Sequence, residues 1–202
     1  MTADALLTPS DPGDVGVDAQ QLERAASLVD GHIGTGDISA ASLFVARRGK
    51  CVLSRGFGRL RPEAGSASVD GDSIFLLASI TKPVTACAMM LLVDEGLISL
   101  DDKVQQHLPE FVGWDKSSIT VRQILSHISG MPDMLPQNTA LRHAHRPMSA
   151  FVEGALRTKL LFESGTDFSY QSKGILLAAE IVERITGQRL RDVEKTRIFA
   201  PL

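Results

Sequence analysis

The sequence predicts an α+β fold, and three observations carry the prediction. An amphipathic helical stretch comes first, two short β-type runs around a glycine-containing turn follow, and from residue 80 onward the strongly patterned segments are helical. The composition is that of an ordinary globular chain, with 202 residues, 44% hydrophobic and 22% charged. A chain of this length can bury ~70% of the surface it exposes when unfolded.

Residues 1–16 are rich in Pro, Gly, Asp and Thr without a period, which predicts a flexible leader. Asp18 then reads as the N-cap of a helix with Leu22, Ala25, Ala26, Val29 and Ile33 on one face, ended by Gly34-Thr35-Gly36-Asp37. Residues 42–47 and 51–55 form a hairpin around Arg48-Gly49-Lys50, with glycine where a positive φ is needed. Two strands make a poor sheet, so something should complete it. Residues 58–72 turn to Arg, Pro, Gly, Ser and Asp and read as a loop. The stretch 80–95 tolerates Pro83 in its first turn, stops at Gly96 and is apolar on nearly all sides, which predicts a helix at the buried centre of its domain. Further helices are expected over 101–108, 120–127 with Thr120 as N-cap, 149–156 and 173–186.

Several function classes are excluded at this level. With 21 Lys+Arg against 24 Asp+Glu the formal charge is −3, so no field gathers phosphate backbones and nucleic acid is not an expected partner. The longest apolar run, 86–93, falls far short of the ~20 residues of a membrane span. The first residues lack a basic and then apolar signal pattern, which gives a cytoplasmic reading. Cys51 and Cys87 lie in apolar surroundings with no CxxC spacing and read as buried thiols. His143-Ala144-His145 reads as a solvated loop with no ligand partners at metal spacing, and neither a P-loop nor a GxGxxG run is present, so no metal or other cofactor is expected.

The segment with the most chemistry is Ser79-Ile80-Thr81-Lys82, at the mouth of the apolar helix. Positions three apart lie on neighbouring faces of a helix, so both side chains can face one cleft. A serine hydroxyl is a weak nucleophile until a base takes its proton, and an amine held against an apolar helix can serve. The helix N-terminus adds backbone N–H groups for a developing oxyanion. Taken alone the four residues read equally well as an N-capping serine and a solvent-facing lysine. The single tyrosine, Tyr170, precedes another helical run, where it is either half-buried packing or a phenol that relays a proton.

Five ordered stretches bear on that choice: 75–82, 94–102, 119–132, Phe168-Ser169-Tyr170 and Ile198-Phe199-Ala200-Pro201-Leu202. In order and spacing they resemble the serine β-lactamase-like family, which includes class C β-lactamases, DD-peptidases and family VIII carboxylesterases. The resemblance implies Ser79 as acylated nucleophile, Lys82 as base or proton shuttle and Tyr170 as proton relay. The family's Tyr-x-Asn lands on Tyr170-Gln171-Ser172, so Ser172 is the implied substrate contact, with a hydroxyl in place of an amide. That change favours small esters over lactams or peptides. The alternatives are a β-lactamase or DD-peptidase, and a catalytically inactive fragment or binding module. The implied partner is a small-molecule ester or β-lactam.

The resemblance also implies organisation. Residues 17–72 would be the N-terminal part of a sheet domain and 73–202 most of a helical domain, giving a β-lactamase/transpeptidase-like fold in truncated form with later strands missing. A third family motif, Lys-Thr-Gly or a variant, is not found after Tyr170, since Lys195-Thr196-Arg197 carries Arg where Gly belongs. A second oxyanion donor would be missing with it, and loss of one donor costs ~10²–10³ in rate. The hairpin is expected to keep an unpaired edge open to self-association. His127 and Asp133 could be assembled with a serine into a triad, but the resemblance makes that segment a structural helix end, and Gly-x-Ser-x-Gly does not occur.

Overall fold

Asp18 starts the first helix as its position predicts, accepting hydrogen bonds from the N–H groups of Gln20 and Gln21 at 2.8 and 3.1 Å. That helix, α1 (Ala19–Thr35), ends on Gly36 in the left-handed conformation. The hairpin follows as β2 (Ala40–Arg47) and β3 (Lys50–Gly58), antiparallel, with Arg48 and Gly49 both at positive φ in the turn. Two successive positive φ values match the twist of a two-residue hairpin. The structure, a computed structural model, describes residues 7–63, 65–113 and 115–202. It divides into two units, Met1–Leu76 and Leu77–Leu202.

In the first unit the sheet is completed by a strand that the sequence reading missed. β1 (Thr8–Pro9) pairs in parallel with β3, giving the order β1-β3-β2. Ser10 N–H donates to the Cys51 carbonyl at 2.9 Å, and Lys50 Nζ donates to Thr8 Oγ1 at 2.7 Å. A short 3₁₀ helix, Pro12–Val15, then buries Val15 and is capped by Asp11. The expected flexible leader is therefore corrected for residues 8–15, while residues 1–6 lie outside the described residues. Pro and Gly misled there because Pro12 sits in the first helical turn, which lacks intrahelical N–H partners in any case. β1 covers β3 only at Thr8 and Pro9, and β2 has no strand on its outer edge among the described residues.

The second unit is helical: α2 (Thr81–Asp94), α3 (Val104–His107), α4 (Val121–Leu125), α5 (Asn138–His143), α6 (Met148–Leu156), α7 (Lys173–Thr186) and α8 (Leu190–Glu194). Its organiser is α7, which packs against α2, α4 and α6. Leu177, Ala178, Ile181 and Val182 form its buried stripe, and Ala88, Met89 and Leu92 of α2 meet the same core. Burying side chains such as Leu92 and Ile181 contributes roughly 1.5–3 kcal/mol each.

Other expectations are corrected here. The α2 helix buries only one face, since Met90 is 43% exposed; Cys87 is exposed and Cys51 half-buried, so neither cysteine is a fully buried thiol. The helices expected over 101–108 and 120–127 are shorter, at Val104–His107 and Val121–Leu125. Thr120 does cap the latter, in a reciprocal pair with Gln123. His143 closes α5 instead of lying in a loop. No helix among the described residues is long and apolar enough to cross a membrane.

Candidate active site

Ser79 does not sit in α2 itself. It occupies a 3₁₀ turn, Ala78–Ile80, that runs directly into α2, so Lys82 falls in the first turn of the α-helix proper. The altered pitch keeps the two side chains together: Lys82 Nζ donates to Ser79 Oγ at 3.0 Å. Ala78, immediately before the serine, holds a φ of 47°. That is a left-handed conformation which a Cβ disfavours. The nucleophile candidate is exposed and reachable from solvent.

Tyr170 joins this pair from the segment before α7. Lys82 Nζ lies 4.9 Å from its ring centroid. Hydrogen bonding from Lys82 first, and from Ser79 after it, holds the phenol below its ordinary range against the opposing effect of desolvation. The three residues named from the sequence thus meet in one cluster. The fourth, Ser172, is half-buried at the N-terminus of α7 and makes no side-chain capping bond to it.

Three residues that the sequence reading set aside or passed over hold Tyr170 in place. His127 stacks on it with ring centroids 4.7 Å apart and planes tilted by 42°. Backbone N–H of Gln171 donates to His127 Nδ1 at 3.3 Å, and Ser169 N–H donates to the His127 carbonyl at 3.0 Å. Burial, and after it the Lys82 charge, lowers the pKa of His127. That lowering favours the neutral ring, in which Nδ1 accepts the Gln171 N–H. Gln171 is fully buried, donates from Nε2 to the Ile124 carbonyl at 2.9 Å and accepts from Gly174 N–H. Asp133 Oδ1 accepts from Ser172 N–H at 2.7 Å. A His127–Asp133 triad is therefore absent, because each group serves the Tyr170–Ser172 backbone instead.

A solvent-reachable serine hydroxyl, an amine 3.0 Å away and a phenol beside them are groups that nucleophilic acyl transfer can use. The family comparison agrees: residues 25–202 match the beta-lactamase family, and the chain belongs to it. Penicillin-binding protein 4* of Bacillus subtilis is 34% identical over 134 residues, 64% of this chain and 29% of that protein. Among solved structures, the D-amino acid amidase of Ochrobactrum anthropi SV3 aligns with a TM-score of 0.74 at 26% identity, covering 87% of this chain and 48% of that one. The octameric penicillin-binding protein homologue of Pyrococcus abyssi shares the fold, with a TM-score of 0.79 at 23% identity, covering 89% of this chain and 42% of that one. The chain thus spans between about three-tenths and a half of the length of these proteins.

Proposed function

We propose that this chain carries the nucleophile side of a serine hydrolase acting on small esters. Ser79 Oγ attacks the ester carbonyl carbon, and its proton passes to the Lys82–Tyr170 pair. The C–O bond to the alcohol breaks, the same pair returns a proton to the departing alkoxide, and Ser79 is left as an acyl ester. Water then attacks that ester and releases the acid, with the proton taken up and returned along the same path. In this reading the Ser79 N–H, in the turn ahead of α2, serves the developing oxyanion. The observation that carries this reading is the 3.0 Å contact between Lys82 Nζ and Ser79 Oγ, shared with the Tyr170 hydroxyl.

Covalent labelling by an alkyl fluorophosphonate tests it, because labelling needs an activated serine and not full turnover. The chain is expected to label at Ser79, Ser79→Ala to take up none, and Lys82→Ala to label ~10²–10⁴ more slowly. Unlabelled wild-type chain would show instead an inactive fragment or a binding module.

A hydroxyl at Ser172 in place of an amide supports esters. A second reading, amide or lactam hydrolysis, draws support from the likeness to the amidase. Faster consumption of nitrocefin or of a D-amino acid amide than of p-nitrophenyl butyrate selects that reading.

A further inference from the structure

Beside Ser172 the helical unit contains a cavity of about 630 Å³. We propose that it receives the part of the substrate remote from the scissile bond, and that this part is an aliphatic chain ending in a carboxylate. The proposal rests on the reading of Ser79 as nucleophile, and Ser172, two residues beyond Tyr170, is the lining residue that joins the cavity to the Tyr170 segment.

The lining has two characters. Met134, Leu135, Met148, Phe151 and Leu176 supply apolar wall. Arg142, Arg146 and Lys173 supply positive charge against the carboxylate of Asp133, with the His145 ring among them. Asp133 is engaged elsewhere, accepting Ser172 N–H at 2.7 Å. Lys173 is buried and donates to Thr158 Oγ1 at 3.1 Å, so it contributes field rather than a free hydrogen bond. The two guanidiniums remain available. Arg142 reaches only the amide oxygen of Asn138, at 3.5 Å, and neither arginine forms an ion pair among the described residues. By contrast Arg55, Arg122 and Arg184 each hold a carboxylate. Paired donors in a planar fork are suited to a carboxylate, and the apolar wall to the chain that carries it.

The turn that carries this rim is built in an uncommon way. Arg146 N–H donates to the Leu141 carbonyl and His145 N–H to the Arg142 carbonyl, both at 3.0 Å. Together these make the two-bond ending of α5 whose left-handed position is usually glycine. Here that position is His145, at φ 48°. The strained turn sets an imidazole and the two arginines on one lip of the cavity.

Two fluorophosphonates of equal chain length test the proposal, one ending in a methyl group and one in a carboxylate. The carboxylate probe is expected to label Ser79 ~10-fold faster, the scale of one charge-assisted hydrogen-bonded pair. Arg142→Ala/Arg146→Ala should erase that advantage, so that the two probes label at equal rates, and Arg146→Gln, at an exposed site, should reduce it. Equal rates on the wild-type chain, or an advantage that survives in the double variant, overturn the proposal. If neither probe labels, it is the nucleophile reading that fails, and calorimetry with octanoate decides the cavity. Octanoate binding that weakens ~10-fold in the double variant, with octanol binding less tightly, keeps a carboxylate site. No octanoate binding, or equal binding of octanol, removes it.

Discussion

Ala78 shows how a single residue sets the reacting geometry. Its left-handed φ of 47° opens the 3₁₀ turn in which Ser79 holds its hydroxyl toward Lys82. A non-glycine residue there costs ~1–2 kcal/mol. Ala78→Gly is therefore expected to leave the fold as stable or up to ~1 kcal/mol more stable, while labelling of Ser79 slows because the turn is less constrained. Thermal unfolding and fluorophosphonate kinetics on the same sample check both halves, and a less stable variant that labels normally contradicts the argument. At Tyr170 the neighbouring ammonium favours the phenolate, so the phenol ionises below its usual pKa of about 10. Labelling should rise with pH along a limb centred below that value, and Tyr170→Phe should remove the limb. A limb unchanged in Tyr170→Phe assigns the proton transfer to Lys82 alone.

Between the two helix entrances that carry the site, α2 and α7, the chain segment at 168–172 is held by long-range contacts. Gln171 is the pin: its amide bridges the Ile124 carbonyl and Gly174 N–H. A Cβ on Gly174 would stand 2.4 Å from Gln171 Nε2, so Gly174→Ala must displace that side chain. It should destabilise the protein by ~1–3 kcal/mol and slow Ser79 labelling, whereas Gly34→Ala, with open space around it, should do neither. Equal effects of the two alanines on labelling would show that Gln171 does not position Tyr170. This contrast also explains what the sequence made legible. Ser79 and Lys82 lie three apart on one helix entrance, so helical geometry alone puts them together. Capping residues and turns were likewise local, hence Asp18, Thr120 and the α7 bounds were readable. His127, Asp133 and Ile124 meet the Tyr170 segment across 44, 39 and 47 residues, and no local pattern marks such pairs. The same limit hid β1, whose two residues acquire strand character only from β3. It also made Cys87 look buried, because an apolar run does not reveal which face of α2 meets the core.

At the scale of the whole molecule, the helical core contains a charge that the proposed chemistry does not use. Lys116 is fully buried, lies 4.9 Å from the Phe111 ring centroid and donates to the carbonyl of Leu156, the last residue of α6. It thereby caps a helix C-terminus, where carbonyls lack intrahelical partners and a positive charge is favoured. Burial, with a smaller push from Lys173, lowers its pKa to about 8. The unfolded chain binds that proton up to an ordinary lysine pKa of about 10.4, whereas the folded chain releases it near 8. Between those values the unfolded state holds more protons, so stability must rise with pH across the window, by an amount on the order of 3 kcal/mol at most. Below pH 8 both states carry the charge and the burial penalty is fully present; above the window both are neutral and it is gone. Urea unfolding from pH 7.5 to 10.5 should therefore show a midpoint that climbs, against the fall that titrating surface ion pairs alone would give. Lys116→Met should flatten the climb while leaving α6 without its capping donor. A climb of the same size in Lys116→Met would place the titrating group elsewhere, with Lys173, itself buried and depressed by desolvation, the next to be replaced.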